Sequence, residues 1–315
     1  MGNKSAKKTT EAAEPQIFEI TLCGLKGSGK RTLLKQLQFV FGGKQPSISA
    51  TDIRMFMIDC IKVLIDISHM KGFEIDEPNK DFAKTVSGKY TWGDDTHKIL
   101  TSLWNDTGIQ RAHDIRLLHG GSPCMARFFD AIDRIAKSGY IPTSDDNIQA
   151  RLSHPIEDVT FEYWVGTMDK TIRFVNKECT ELPSDTKSVY YMVSLLGYCQ
   201  SNGVQNNLIR AIEAFNEIKT KLKDHTNIVL IFSKQDLMDK QLETTPITAC
   251  FPDYTQPPQE DWGKFAAFLQ SKFIDNDDKV RVYTHFISPI CYRNVKDVFE
   301  HTLGPLFPPT GDMPF

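Results

Sequence analysis

Residues 16–43, QIFEITLCGLKGSGKRTLLKQLQFVFGG, confine the chain to a narrow set of folds. Ile17, Ile20 and Leu22 read as a short buried strand. Gly24 to Lys30 follow the pattern G-x-x-x-x-G-K, and Leu33, Leu34, Leu37 and Val40 recur behind it at helical spacing. Strand, glycine-rich loop and helix, in that order, form the context in which this pattern binds phosphate. The loop's N–H groups and the positive end of the helix face the oxygens, and Lys30 reaches the terminal phosphates. Gly24, Gly27, Ser28, Gly29, Lys30, Arg31 and Thr32 are therefore the candidate phosphate-binding residues. The pattern asks for Ser or Thr directly after the lysine, because that hydroxyl holds Mg²⁺. The chain has Arg31 there. The loop predicts a nucleotide, while the lost hydroxyl argues against an ordinary metal site. A glycine-rich turn with no ligand is the alternative.

With 315 residues, the chain has length for one large domain or two ordinary ones. Hydrophobic residues make up 40% and charged residues 24%, the balance of a globular protein. A net charge of −3 gives no basic field for nucleic acid. The seven cysteines lack C-x-x-C spacing and read as reduced cytosolic thiols, not as a disulfide framework or zinc site. The longest apolar run, Tyr190 to Cys199, is too short to span a bilayer, and no secretory signal peptide is present.

The start, MGNKSAKK, places Gly2 after Met1 with Lys4, Lys7 and Lys8 close behind. An N-myristoylation pattern wants Ser or Thr at position 6, where this chain has Ala6 with Ser5 one place early. An acyl chain on Gly2 with the lysines as second signal would hold the protein at an anionic membrane surface. That would place it in the cytoplasm at the inner face of the plasma membrane. The other reading is a plain disordered basic tail.

Residues 1–15 carry no hydrophobic period and read as a flexible segment. After Gly42 and Gly43 the pattern becomes helical only. Ile53, Phe56, Cys60, Val63, Leu64 and Ile67 form one core-facing stripe, and Phe128, Phe129, Ile132 and Ile135 another. Ser49 or Thr51 is placed to cap the first of these helices. Strands return with 159–165 and 170–176, which read as a hairpin about 166–169. The near-continuous apolar runs 188–196 and 227–232 read as parallel central strands, and 280–286 as a further one. Residues 208–222 and 262–273 read as helices between them. The alternation predicts a doubly wound α/β sheet, with ligands at the carboxyl ends of its strands. The division expected is a strand-led domain from 16–43 and 151–315, split by a helical insert at 44–150.

This arrangement resembles the alpha subunits of heterotrimeric G proteins. The likeness extends over nearly the whole chain: GLKGSGKRT in the first loop, LWNDTGIQ (103–110) and AIDRIAKSGYIPT (131–143) in the helical block, then SKQDL (233–237), PITACFPDYT (246–255) and VYTHF (282–286) in the family's order. It implies a Ras-like phosphate-loop domain with an inserted helical domain and guanine nucleotide (GTP or GDP) held between them.

The resemblance also marks where this chain departs. Counting from YIPT, Arg151 falls on the family's first-switch arginine, which stabilises transition-state charge, and is the catalytic candidate; a surface arginine is its bland reading. His154 falls on the magnesium-binding threonine, with Ser153 one place away and Pro155 following. No metal ligand is assigned, because Arg31 and His154 replace the expected ones. The second switch, D-x-x-G-Q in the family, aligns with Asn176, Lys177, Glu178, Cys179 and Thr180. The aspartate, the γ-phosphate-sensing glycine and the water-orienting glutamine are all absent. The base motif N-K-x-D becomes Ser233, Lys234, Gln235, Asp236. The last loop, T-C-A-T in the family, becomes Ile287, Ser288, Pro289, Ile290, and proline has no N–H to offer a guanine oxygen. Ser233, Lys234, Asp236 and Ser288 are the guanine-binding candidates.

A helix from Asn294 to about Leu303 is expected to stop at Gly304 and Pro305. That end, and the short segment before the first strand, argue against coupling to receptors and to the beta-gamma dimer in the family manner. Phosphoryl transfer rests on metal, positioned water and arginine, so GTP hydrolysis is expected to be very slow or absent. Two function classes follow: a guanine-nucleotide-binding transducer with weakened magnesium dependence, and a pseudo-GTPase scaffold that holds no nucleotide. A phosphate-loop kinase fits neither the helical block nor SKQDL. For Arg31 itself, one role is to replace the metal's charge on the phosphates. The other is to pair with a protein carboxylate such as Glu178.

Overall fold

The computed structural model describes residues 17–42, 48–119, 121–150, 157–165, 168–224, 226–254, 256–258, 260–275 and 280–306. Gly2, Lys4, Lys7, Lys8, Arg151 and His154 lie outside the described residues. The chain opens with β1 (Ile17–Cys23) and α1 (Lys30–Val40). Seven helices follow: α2 (Ala50–Lys71), α3 (Glu77–Ser87), α4 (Thr96–Trp104), α5 (Thr107–Asp114), α6 (Met125–Asp130), α7 (Ile132–Ala136) and α8 (Ser144–Gln149). Then come β2 (Asp158–Val165), β3 (Met168–Asn176), β4 (Ser188–Ser194), α9 (Asn207–Lys221), β5 (Asn227–Ser233), α10 (Met238–Thr244), α11 (Trp262–Ser271), β6 (Arg281–Ile287) and α12 (Tyr292–Leu306).

The six strands form one sheet in the order β2-β3-β1-β4-β5-β6. Only the β2–β3 hairpin is antiparallel; the other four pairings are parallel. The central strands are buried on both faces, as their unbroken apolar runs require: every residue of β4 except Ser194 is buried. One face packs Leu33, Leu34 and Leu37 of α1 and Val295, Phe299 and Leu303 of α12 against Ile20, Phe174, Tyr190 and Ile231. The other carries Phe215 of α9 and Phe265 and Leu269 of α11 against Tyr191, Leu230 and Phe232.

The helical block has a core of its own. Ile53, Phe56, Cys60, Leu64 and Ile67 of the predicted α2 stripe are buried in it, with Val63 at its edge. Phe128, Phe129, Ile132 and Ile135 join them from α6 and α7. Each such side chain contributes about 2 kcal/mol by leaving water. Ser49 is the cap of α2: its Oγ accepts from Asp52 N–H at 3.1 Å, and Asp52 Oδ2 accepts from Ser49 N–H at 3.2 Å. Gly72, at φ 66°, ends the helix in the left-handed conformation.

The described contacts tie this block to α1. Lys35, 4% exposed, donates to the carbonyls of Asn147 (2.9 Å), Ile148 (2.6 Å) and Ala150 (2.7 Å). A second tie runs from Gln200 Nε2 to Leu117 O at 2.6 Å.

One boundary differs from expectation. The last helix does not stop at Gly304 but runs through Pro305 to Leu306. Pro305 is the penultimate residue, so it sits in the last turn, where a proline disturbs only the end of the backbone ladder, and Val295, Phe299 and Leu303 already anchor the preceding turns. The short α10 over 238–244 and the short turn of helix over 235–237 carried no periodicity long enough to find.

Candidate functional site

The carboxyl ends of β1, β3, β4, β5 and β6 lie along one edge of the sheet, because these strands run parallel, and the loop from Gly24 to Gly29 leaves β1 at that edge, where a doubly wound fold has its ligand crevice. Gly24, Gly27 and Gly29 have φ of 135°, 85° and 99°, the left-handed region that turns successive N–H groups inward. Gly24 is also required by space, since a Cβ there would sit 2.2 Å from the Met192 carbonyl oxygen. α1 begins at Lys30 without a side-chain cap, so its first N–H groups remain available to an anion.

Lys30 is buried and turned back on the loop. Its Nζ donates to the Gly24 carbonyl and, at 3.2 Å, to that of Leu25. Burial pulls the ammonium below the ordinary lysine range, offset in part by nearby Glu178.

Arg31 leaves the start of α1 and meets Glu157, just ahead of β2: Nη2 donates to Oε1 at 2.6 Å and Nε to the same oxygen at 3.2 Å. Asn176, the last residue of β3, donates from Nδ2 to the other oxygen, Oε2. Against the cost of burial, these bonds hold the Glu157 carboxyl below the usual carboxylate range. The carboxylate partner of Arg31 is therefore Glu157 and not Glu178. The two residues are 126 positions apart, and nothing in the spacing could have paired them. The pair is half exposed, at 57% and 48%, so it is a weak tie that an incoming dianion can open.

The base-side candidates converge on the same floor. Ser233, fully buried, donates from Oγ to the Ser28 carbonyl at 2.6 Å and, in a second contact, to Val193 O at 3.2 Å, locking the end of β5 to the phosphate loop. Lys234 is the one non-glycine residue of positive φ among the described residues, at 65°; such backbone persists where a site over-determines it. Burial lowers its ammonium below the ordinary range. Asp236 is exposed beyond it. Ser288, after β6, is buried and donates its N–H to Asn294 Oδ1 at 3.2 Å, a partner that spacing did not suggest. Pro289 lies against the floor, since a Cβ built on Gly29 would stand 3.5 Å from its Cγ.

Four buried polar atoms at these strand ends and loops find no partner in the protein: Ser28 Oγ, Asn176 Oδ1, Ser194 Oγ and Ser288 Oγ. Each such orphan costs about 1–3 kcal/mol, and their concentration here fits a crevice completed by a polar ligand. The inward-turned N–H groups, Lys30 and the Ser28 hydroxyl fit the phosphates of a nucleotide. Magnesium does not fit in the same way. A guanidinium stands where the loop's metal-binding hydroxyl belongs, and a neutral amide where β3 should end in a carboxylate. The Glu157 carboxylate is spent on both. Among the described residues no group of three His, Cys, Asp or Glu side chains could hold a metal.

Thr32 follows Arg31 in the first turn of α1. The described structure thus brings together Gly24, Gly27, Ser28, Gly29, Lys30, Arg31, Ser233, Lys234 and Ser288. No helix among the described residues is long and apolar enough to cross a membrane.

Comparison with known proteins agrees with this geometry. The sequence model of the family described as G-protein alpha subunit matches residues 2–303. A similar protein is the guanine nucleotide-binding protein alpha-2 subunit of Dictyostelium discoideum, 23% identical over an alignment covering 95% of this chain and 90% of that protein. With a phosphate loop, a helical block between α1 and β2 and a family match over nearly its full length, the chain belongs to the G-protein alpha subunits, a family of guanine-nucleotide-binding signal transducers.

Proposed function

We propose that this alpha subunit holds guanine nucleotide with little dependence on magnesium and hydrolyses GTP very slowly or not at all. One observation carries the reading: the Arg31–Glu157–Asn176 cluster beside the phosphate loop, which puts a permanent cation where a metal would otherwise be recruited. A guanidinium pairs bidentately with phosphate oxygens. A nucleotide dianion competes well with one half-exposed carboxylate for it. Gly24, Gly27, Ser28, Gly29, Lys30, Arg31 and Thr32 then take the phosphates, with Lys30 leaving its two carbonyls. Ser233, Lys234, Asp236 and Ser288 face the base. Arg151 is the remaining candidate for charge stabilisation, and an arginine acting without metal and without a water-positioning glutamine forfeits most of the catalysis that those parts supply together.

In this reading residues 16–43 and 151–315 form the nucleotide domain and 44–150 the helical lid. Acylation of Gly2, with Lys4, Lys7 and Lys8, would hold it at the inner face of the plasma membrane.

The test is a thermal-shift titration with GTP, GDP and ATP, with Mg²⁺ and with EDTA, on protein whose nucleotide content has been measured. A ligand at a hundred times its Kd adds about 2.7 kcal/mol of stability. Guanine-specific stabilisation that persists in EDTA is the expected result; stabilisation abolished by EDTA overturns the metal independence. A second reading, a scaffold without nucleotide, draws on Lys30 satisfied by loop carbonyls and on Pro289 packed against Gly29. It predicts no copurifying nucleotide and no shift with any of the three.

A further inference from the structure

The crossover from β3 to β4 is short and tied down along its length. β3 and β4 lie on either side of β1 and run parallel to it. Parallel strands joined in this way ordinarily carry a helix in the crossover. Residues 177–187, which make this one, hold only the three-residue turn Cys179–Glu181. The crossover therefore has no helix to slide or unwind.

Each part of it is tied to the body of the domain or lies in a closed turn. Lys177 N–H donates to Leu22 O at 3.0 Å, and its Nζ donates to Glu19 Oε1 at 2.9 Å. Glu19 stands four residues before the end of β1, about 13 Å down the strand, so that ammonium is drawn away from the phosphate loop. Just ahead of it, Asn176 spends its amide on Glu157. Glu181 N–H closes a turn on Glu178 O at 3.0 Å. Leu182 is buried in the core cluster that also holds Tyr191 of β4 and Phe215 of α9. Thr186 closes a second turn, donating to Pro183 O from its N–H at 3.1 Å and from Oγ1 at 2.7 Å. The Thr186 carbonyl accepts from Thr226 Oγ1 at 3.3 Å, and that of Lys187 from Asn227 N–H at 3.2 Å.

A ligand moves a segment only as far as it binds the moved form better than the resting one. Here a third phosphate would have to break the Lys177 ties and unseat Leu182 from an apolar core. The side chains at the near end, Asn176 and Lys177, are already engaged elsewhere. We propose that residues 177–187 are a fixed strap, alike with the phosphate loop empty, with a nucleoside diphosphate and with a triphosphate. The nucleotide is then a structural ligand, and a protein docked on the strap reads the presence of this chain and not its phosphate count. The proposal rests on the reading above for the nucleotide and on the ties alone for the strap.

The test is amide hydrogen exchange of the full-length chain, resolved to single residues by mass spectrometry, in nucleotide-free protein, with GDP and with a GTP analogue that resists hydrolysis. A thermal-shift run on the same samples reports whether nucleotide is bound. The bonded N–H groups of Lys177, Glu181 and Thr186 should exchange at least about tenfold more slowly than in an unstructured chain, and their rates should agree within about twofold across the three states. Leu182→Ala should raise the Glu181 and Thr186 rates at least about tenfold. Should that variant fold poorly, Lys177→Ala, which removes only the part-exposed pair with Glu19, should raise the Lys177 rate about threefold. Fast exchange in nucleotide-free protein, protection that the triphosphate analogue alone confers, or rates unchanged in both variants overturns the strap. A protected strap with no thermal shift from either nucleotide upholds the strap and overturns the nucleotide reading instead.

Discussion

The phosphate loop and the segment after β3 flank the same crevice, yet they have met substitution in opposite ways. The loop does its work with backbone: three left-handed glycines, a floor pressed against Met192 and N–H groups that no side chain can supply. Its geometry is intact. The segment from Asn176 to Cys179 keeps its backbone beside β1, through the bond from Lys177 N–H to Leu22 O, but its side chains differ from the D-x-x-G pattern that the resemblance leads one to expect there. Function carried by backbone is bound to the fold, and losing it unfolds the site. Function carried by side chains can be exchanged one residue at a time while the fold stands.

The sharpest way to break this comparison is Gly24→Ala. A Cβ 2.2 Å from the Met192 carbonyl, at a φ that L residues avoid, should cost about 3 kcal/mol or more, read as a lower denaturation midpoint. A wild-type midpoint would show the loop to be as tolerant as the switch segment.

A control remote from both regions comes next. Asp146 is buried, and its carboxylate accepts from Arg134 (2.8 and 3.0 Å), Tyr140 (2.8 Å) and the Thr143 N–H (2.9 Å). Burial works against the charge, but Arg134, Thr143 and Tyr140 outweigh it and hold the group well below the usual carboxylate range. A depressed carboxyl stabilises fully above its unfolded pKa of about 4 and loses that stabilisation as pH falls toward the folded value. Asp146→Asn should therefore cost about 2 kcal/mol at pH 7 and flatten the acid limb of the stability profile measured in urea. An unchanged acid limb would remove Asp146 as its source.

Ser233→Ala tests the tie between base strand and loop. Losing the bonds to Ser28 O and Val193 O should cost about 1–2 kcal/mol, with a larger relative loss in nucleotide-induced stabilisation than in the midpoint itself. The smallest effect on stability belongs to Arg31→Ser with Asn176→Asp. A half-exposed pair contributes less than about 1 kcal/mol, so the midpoint should barely move. The gain should be magnesium dependence: nucleotide stabilisation that now requires the metal. Failure to gain it would mean that the switch segment cannot be exchanged residue by residue.

This asymmetry also governs what was legible. Elements with long local periods could be read directly: α1, the α2 stripe with its Ser49 cap, the hairpin and the parallel strands. So could the phosphate loop, whose glycines are contiguous. The Arg31–Glu157 pair was not legible, because its partners meet only through β1 and β3 pairing, over 126 positions. Asn294, which holds the Ser288 N–H, lay on a helix whose pattern showed only its apolar face. Pro305 misled for a different reason: a helix breaker is decisive in the interior and weak in the last turn.

The buried Lys35 ties these parts together in time as well as in space. It sits one and a half turns after Lys30 on the same rigid helix, and its ammonium is shared among three carbonyls at 147, 148 and 150 in a dry setting. Any parting of the helical block from α1 must strip all three at once. Even about 4 kcal/mol for that loss, a modest sum for bonds to a charged donor, makes the parted state roughly a thousandfold rarer. Burial also draws the Lys35 ammonium down to about 8, so alkali would shed its proton and loosen the same clasp. A side chain outside the phosphate loop thereby sets how seldom the helical block parts from α1.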